Sequence, residues 1–337
     1  MAQRVGILLI NLGTPQAPEP RAVRRYLAEF LSDPRVIEIP GLVWKPILHG
    51  LVLRTRPAKS AHAYRAIWTQ KGSPLAVNSA EQAQRLQQAF GDEVIIDYAM
   101  RYGEPAIAQR LKDLVERGCG RILLAPLYPQ YSAATTATAL DAAFDTLASM
   151  RAQPAIRTLP PYFAHPSYVD ALATSVTGSL ARLDFVPDAL VASFHGMPVQ
   201  TAERGDPYFV QCQETTRLLE KTLGREIQIA FQSRFGRAKW FEPATDALLA
   251  GLPAKGARNV AIFCPGFSVD CVETLEEIAI RARDTFLGAG GEHFAYLPCL
   301  NAEAAGIAML TDLFAAELSG WVGPFARHAP AAPRAAA

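Results

Sequence analysis

The sequence predicts an α/β protein of two Rossmann-like domains, each a parallel sheet flanked by helices, with a cleft between them. Three observations carry that reading. The chain has 337 residues, more than one hydrophobic core usually organises. Short apolar runs alternate with amphipathic stretches along most of its length, which is the rhythm of βα units. The halves also echo each other. "LLINLGTP" at 8–15 resembles "VASFHGMP" at 191–198, and "RILLAPLYPQYSAATTATAL" at 121–140 resembles "RNVAIFCPGFSVDCVETL" at 258–275.

Taken in order, "VGILLINL", "VIIDYAM" and "RILLAPLY" read as buried strands of a first domain, 1–153. Helix-like patterns at 81–90 and 104–116 lie between them. "ALVASFH", "IQIAFQS" and "NVAIFCP" repeat the plan in a second domain, 154–302. A helix at 303–321 is expected to pack back on the first domain, and the Pro/Ala-rich tail at 322–337 to be disordered. Between equivalent turns the first half carries about 44 extra residues, assigned to an insertion at about 34–74. That insertion mixes apolar and aromatic side chains with Arg54, Arg56, Lys59 and Arg65. An ordinary surface helix pair would explain it. So would a lid over a flat apolar anion, or a membrane-facing lip at 41–53 carrying Trp44 and Leu48.

Composition narrows the function. Apolar residues make up 50% and charged ones 19%, which excludes wholesale disorder. With a net charge of +1 and no Lys/Arg block, no nucleic-acid partner is expected. Five cysteines without a CxxC pair indicate neither a disulfide framework nor a zinc knuckle. The amino terminus reads as a first strand rather than a signal peptide, and no apolar run approaches the roughly 18 residues of a membrane span. A cytoplasmic protein is expected. "NLGTP" lacks the lysine of a P-loop, and neither GxGxxG nor GxSxG occurs.

Ligands of open α/β sheets sit beyond the carboxyl ends of the strands, which is where "SFHGMP" places His195 and "NLGTP" its counterpart Leu12. A lone histidine there is structural or catalytic. In "PGFSVDCVETLEEI", Asp270, Glu273 and Glu277 fall at i, i+3 and i+7, one face of a helix. Asp270 with Glu273 also fits a capping box, although Glu277 reaches beyond a helix terminus. The stretch "ERGDPYFVQC" reads as a turn and a helix cap at Asp206. An imidazole opposite carboxylates can accept protons and transiently hold a divalent cation. Two ligands are too few for a structural site, which suits a metal that is itself a substrate. The histidines at 49, 62, 165, 293 and 328 read as surface or packing residues.

Together, "GILLINLGTP", "YLAEFLSDPRVIEIP", "MRYG", "PLYPQYSAATT", "SFHGMP", "GDPYFVQC" and "PGFSVDCVETLEEI" resemble the ferrochelatases, in the form found in Gram-negative bacteria. The resemblance runs through nearly the whole chain. It implies a chelatase-like fold and a lyase that inserts Fe²⁺ into protoporphyrin IX in the last step of haem biosynthesis. By that resemblance His195 and Glu273 are the iron-site residues, and Asp270 and Glu277 form an acidic path leading away. Leu12 packs on the macrocycle. Arg101, Tyr102, Tyr131, Ser132 and Phe267 line the pocket, while Arg56, Lys59, Tyr64 and Ser73 lie on the lid near the propionates. Members with a [2Fe–2S] cluster have a cysteine where this chain has Ala133, and further ones past Cys299, where this chain has none. No cluster and no permanently bound cofactor is expected. A monomer is expected, with peripheral inner-membrane contact through the 41–53 lip. Insertion of cobalt or nickel, use of coproporphyrin, or a carrier without chemistry are the alternatives.

Overall fold

The computed structural model describes residues 4–236 and 238–323. The expected tail, from residue 324, and His328 with it, lies outside the described residues. The first sheet is built from β1 (Arg4–Gly13), β2 (Val94–Tyr102), β3 (Cys119–Pro126) and β4 (Ala155–Thr158), in the order β2-β1-β3-β4. The second holds β5 (Ala189–His195), β6 (Gln228–Gln232), β7 (Asn259–Phe263) and β8 (His293–Leu297), in the order β6-β5-β7-β8. Every pairing is parallel. The echo in the sequence is therefore an echo of topology, with β1 and β5 in equivalent central places.

These strands form because both of their faces are covered. Residues 5–11 of β1 are all buried, which is why the run is apolar without alternation. The crossover helices show the other periodicity: helix Ile107–Glu116 buries Ile107, Leu111 and Leu114 on one stripe. One buried cluster joins Ile7 and Leu86 of the first half to Leu190, Phe194 and Phe231 of the second. Truncating a leucine in such a core costs about 2–5 kcal/mol. Helix Ala304–Glu317 adds Leu310 and Phe314 to that cluster and packs on helices Pro74–Phe90 and Pro166–Leu180. Beyond it, Trp321 stacks on the Arg157 guanidinium of β4 at 4.3 Å.

The stretch at 34–74 forms helix Gly41–Ile47, a π-helical turn at Leu48–Val52, and helix Leu53–Ile67. It packs with helix Pro20–Phe30, which precedes it in the chain. Their shared cluster contains Val23, Tyr26, Leu48 and Tyr64, and reaches Leu12 and Tyr102 of the first sheet and Val272 and Leu275 of the second half. The lip is apolar on the outside through other residues than its sequence singled out. Leu48 is fully buried, and the Trp44 indole donates to the Leu31 carbonyl at 2.6 Å. Leu42 (94% exposed), Val43 and Leu51 (61% exposed) face outward instead. Alternation of the lip between two environments, not its mean apolarity, decides which side chains point out.

Candidate functional site

The residues marked by the sequence gather at the carboxyl ends of both sheets. His195 ends β5, half-buried, with Gln232 of β6 as its register partner. Its Nδ1 lies 2.7 Å from the Gly196 carbonyl oxygen. A carbonyl oxygen only accepts, so this bond places the proton on Nδ1 and leaves the Nε2 lone pair free.

Glu273 is the first residue of a ten-residue π-helix, Glu273–Ala282. Such winding is rare and concentrates at functional sites. The structure changes the expected acidic face: Asp270 lies before the helix, and the helix start has no side-chain cap. Asp270 is instead a buried anchor, 7% exposed. It accepts from Thr274 Oγ1 at 3.1 Å, Asn301 Nδ2 at 2.7 Å and the Tyr296 hydroxyl. Burial, aided by the Asp270 charge, pushes the Cys264 and Cys299 thiols well up, so both are inert. Glu277 accepts from the Ser233 N–H at 2.8 Å and from the Ser233 hydroxyl. Gln232 donates through Nε2 to the Glu273 carbonyl at 2.9 Å, so β6 ties the histidine strand to the π-helix.

Helix Leu53–Ile67 packs against this helix. Burial drives the Tyr64 and Tyr26 hydroxyls well above their ordinary range, with the Glu273 charge adding to both. Both phenols stay neutral beside the carboxylate. Ser73 is buried and accepts from Thr14 Oγ1 at 2.8 Å. Arg56 and Lys59 are exposed on helix Leu53–Ile67, and Arg56 stands 5.3 Å from the Phe235 ring across the cleft. Phe267 joins Leu75, Met100, Val269 and Cys271, an apolar contact between the halves.

The chain matches known proteins along nearly its whole length. The ferrochelatase family model matches residues 4–318. The ferrochelatase of Rhizobium meliloti (strain 1021) is 51% identical over 95% of this chain and 96% of its own. That of Mesorhizobium japonicum is 50% identical, over 95% and 93%. The chain belongs to the ferrochelatase family. Among solved structures, the cobalt complex of the sirohydrochlorin chelatase SirB from Bacillus subtilis subspecies spizizenii has a TM-score of 0.56. It is 10% identical over 96% of this chain and all of its own, which shows a common fold.

Within this ferrochelatase frame some expected pocket residues have their polar atoms engaged elsewhere. Arg101 pairs with Asp33 at 2.6 Å, donates to Thr138 and lies over the Tyr102 ring. Ser132 is buried; it receives the Ala134 N–H and donates to Asp206 Oδ2. Asp206 caps Tyr208 N, as the turn reading expected, and also takes the Ala133 N–H at 2.8 Å, clamping one half to the other. The Tyr131 N–H donates to Gln211 Oε1 at 2.7 Å. Gln232, Ser233 and Asn301 also belong to the site, although none stands out as a candidate in the sequence. The end of "IQIAFQS", equivalent in place to "HGMP", was the signal for the first two. His165 caps Ser167 and His293 stacks on Phe185. Among the described residues no group of three or more His, Cys, Asp or Glu side chains is arranged to hold a metal ion, and no helix is long and apolar enough to cross a membrane.

Proposed function

We propose that His195 accepts the pyrrole protons, and Glu273 assists iron delivery and proton exit, in the reaction of this ferrochelatase-type lyase. That reaction inserts Fe²⁺ into protoporphyrin IX to give protohaem. A free porphyrin carries two N–H protons that fill its central hole, so each Fe²⁺ entering must displace two protons. A cleft rigid enough to bind the bent ring better than the flat one lowers the barrier by differential binding. The observation that carries the role of His195 is the 2.7 Å contact of its Nδ1 with the Gly196 carbonyl oxygen, which in the neutral ring leaves Nε2 as the base.

Glu277, four residues along the π-helix from Glu273, takes charge on toward solvent. Asp270 fixes the loop ahead of it. Leu12 and Phe267 supply apolar and aromatic surface for the macrocycle, and Arg56 and Lys59, on the helix that buries Tyr64, meet the propionates. The chain acts as a monomer. It carries no [2Fe–2S] cluster, a reading supported by Ala133 in place of a cysteine and by the burial of all five cysteines. It works in the cytoplasm, with Leu42, Val43 and Leu51 resting on the inner membrane, where an apolar substrate partitions.

An anaerobic assay tests the site: purified protein, protoporphyrin IX and Fe²⁺, with loss of porphyrin fluorescence followed as haem forms. Wild type should turn over, and His195→Ala should bind porphyrin without turnover. Near-normal turnover by His195→Ala would remove the histidine from the mechanism.

A further inference from the structure

Asn301, four residues beyond β8, has a left-handed backbone, φ 47°, which asparagine tolerates better than most side chains. From there it makes three bonds to the loop ahead of the π-helix. Its N–H donates to the Ser268 carbonyl at 3.0 Å. Its Oδ1 accepts from the Asp270 N–H at 2.8 Å, and its Nδ2 donates to Asp270 Oδ2 at 2.7 Å. One amide thus grips both the backbone and the carboxylate of the same residue. The Asn301 carbonyl meanwhile accepts from Gln82 Nε2 at 2.8 Å. Gln82 is buried on helix Pro74–Phe90, which packs on β1 and β2 of the other half.

The bonds continue inward. Thr274 Oγ1 donates to Asp270 Oδ1, and Thr274 directly follows Glu273. A hydrogen-bonded chain therefore runs from Gln82 of the first half through Asn301 and Asp270 into the first turn of the π-helix.

We infer that Asn301 is a positioning residue for metal insertion: it sets where Glu273 stands in the cleft relative to the first half. This rests on Glu273 being the insertion carboxylate. Asn301 acts through Asp270 and touches no substrate. Its effect is on the reacting geometry, where a displacement of about 1 Å costs on the order of 100-fold in rate.

Asn301→Gly is the informative variant, because glycine keeps the left-handed backbone and removes only the amide. Its kcat should fall about 10- to 100-fold while the porphyrin Kd, from fluorescence titration, stays within about twofold. Gln82→Leu cuts the tie between the halves and leaves the Asp270 bonds in place, and should lower kcat in the same direction. Wild-type kcat in folded Asn301→Gly overturns the inference, as does a loss of kcat matched by an equal loss of porphyrin binding. Should Asn301→Gly not fold, wild-type kcat in Gln82→Leu overturns it instead. His195→Ala run alongside separates the two levels. Its inactivity with a fully active Asn301→Gly sinks only the positioning role, whereas an active His195→Ala sinks the site assignment beneath it.

Discussion

The Gly196 N–H donates to the Gln232 carbonyl at 2.7 Å, and a Cβ on residue 196 would stand 2.5 Å from that same oxygen. Gly13, at the equivalent turn of the first sheet, has φ +118° and would place its Cβ 1.9 Å from the Tyr102 carbonyl. The obstacle in each case is backbone of the neighbouring strand, which a rotamer change cannot move. Gly196→Ala should therefore cost about 1–3 kcal/mol of stability. It should also lower kcat, because the bond that sets the His195 tautomer uses the carbonyl of residue 196. Denaturant titration and the insertion assay read both effects, and an alanine variant with unchanged kcat would show that the turn has room to relax.

Asp33 gives a pH signature. Burial works to raise its carboxyl, but hydrogen bonds from Thr138, the Arg35 N–H and Tyr102, with the Arg101 charge, outweigh it and hold the group below its ordinary value. A depressed folded value stabilises the protein above the unfolded value, near 3.9, and the contribution is lost as pH falls through the folded one. Wild type should exceed Asp33→Asn by about 1–3 kcal/mol at pH 7. Urea unfolding should show that gap constant down to about pH 5 and closing below about pH 4. A gap that ignored pH would mean that the carboxylate charge is not what the donors hold.

Glu273→Gln keeps the size and the π-helix while removing the charge. Insertion should fall by about 100-fold or more, with porphyrin affinity preserved. Loss of affinity in parallel would assign Glu273 to the architecture of the helix start instead.

The lip separates by which side chains face out. Replacing Leu42 and Leu51 with serine should abolish flotation with anionic lipid vesicles and leave thermal stability within about 0.5 kcal/mol of wild type, because exposed side chains contribute little to the fold. Leu48→Ser should instead destabilise by several kcal/mol, about the cost of a buried polar group in an apolar cluster. Vesicle binding that survives the Leu42/Leu51 change would exclude the lip as the contact.

The sequence by itself determined two parallel sheets built on one repeated plan, because strands buried on both faces must be written as apolar runs. The strand order, and the edge strands β4 and β8, came only with the tertiary structure. The sequence also marked His195 and Glu273, through short motifs that sit at strand ends. Three features lay beyond it. The spacing of Asp270, Glu273 and Glu277 assumes ordinary helical winding, and the chain adopts π-winding that begins after Asp270. The lip's apolar residues look alike in sequence, yet Leu48 is interior and Leu42 exterior. The bonds that assemble the site join Asp206 to Ala133, Gln232 to Glu273 and Gln82 to Asn301, across 73, 41 and 219 positions. Periodicity records which face of an element is buried, a local property. A polar side chain's distant partner leaves no periodic trace, since it is chosen only where the ends of two sheets are brought together.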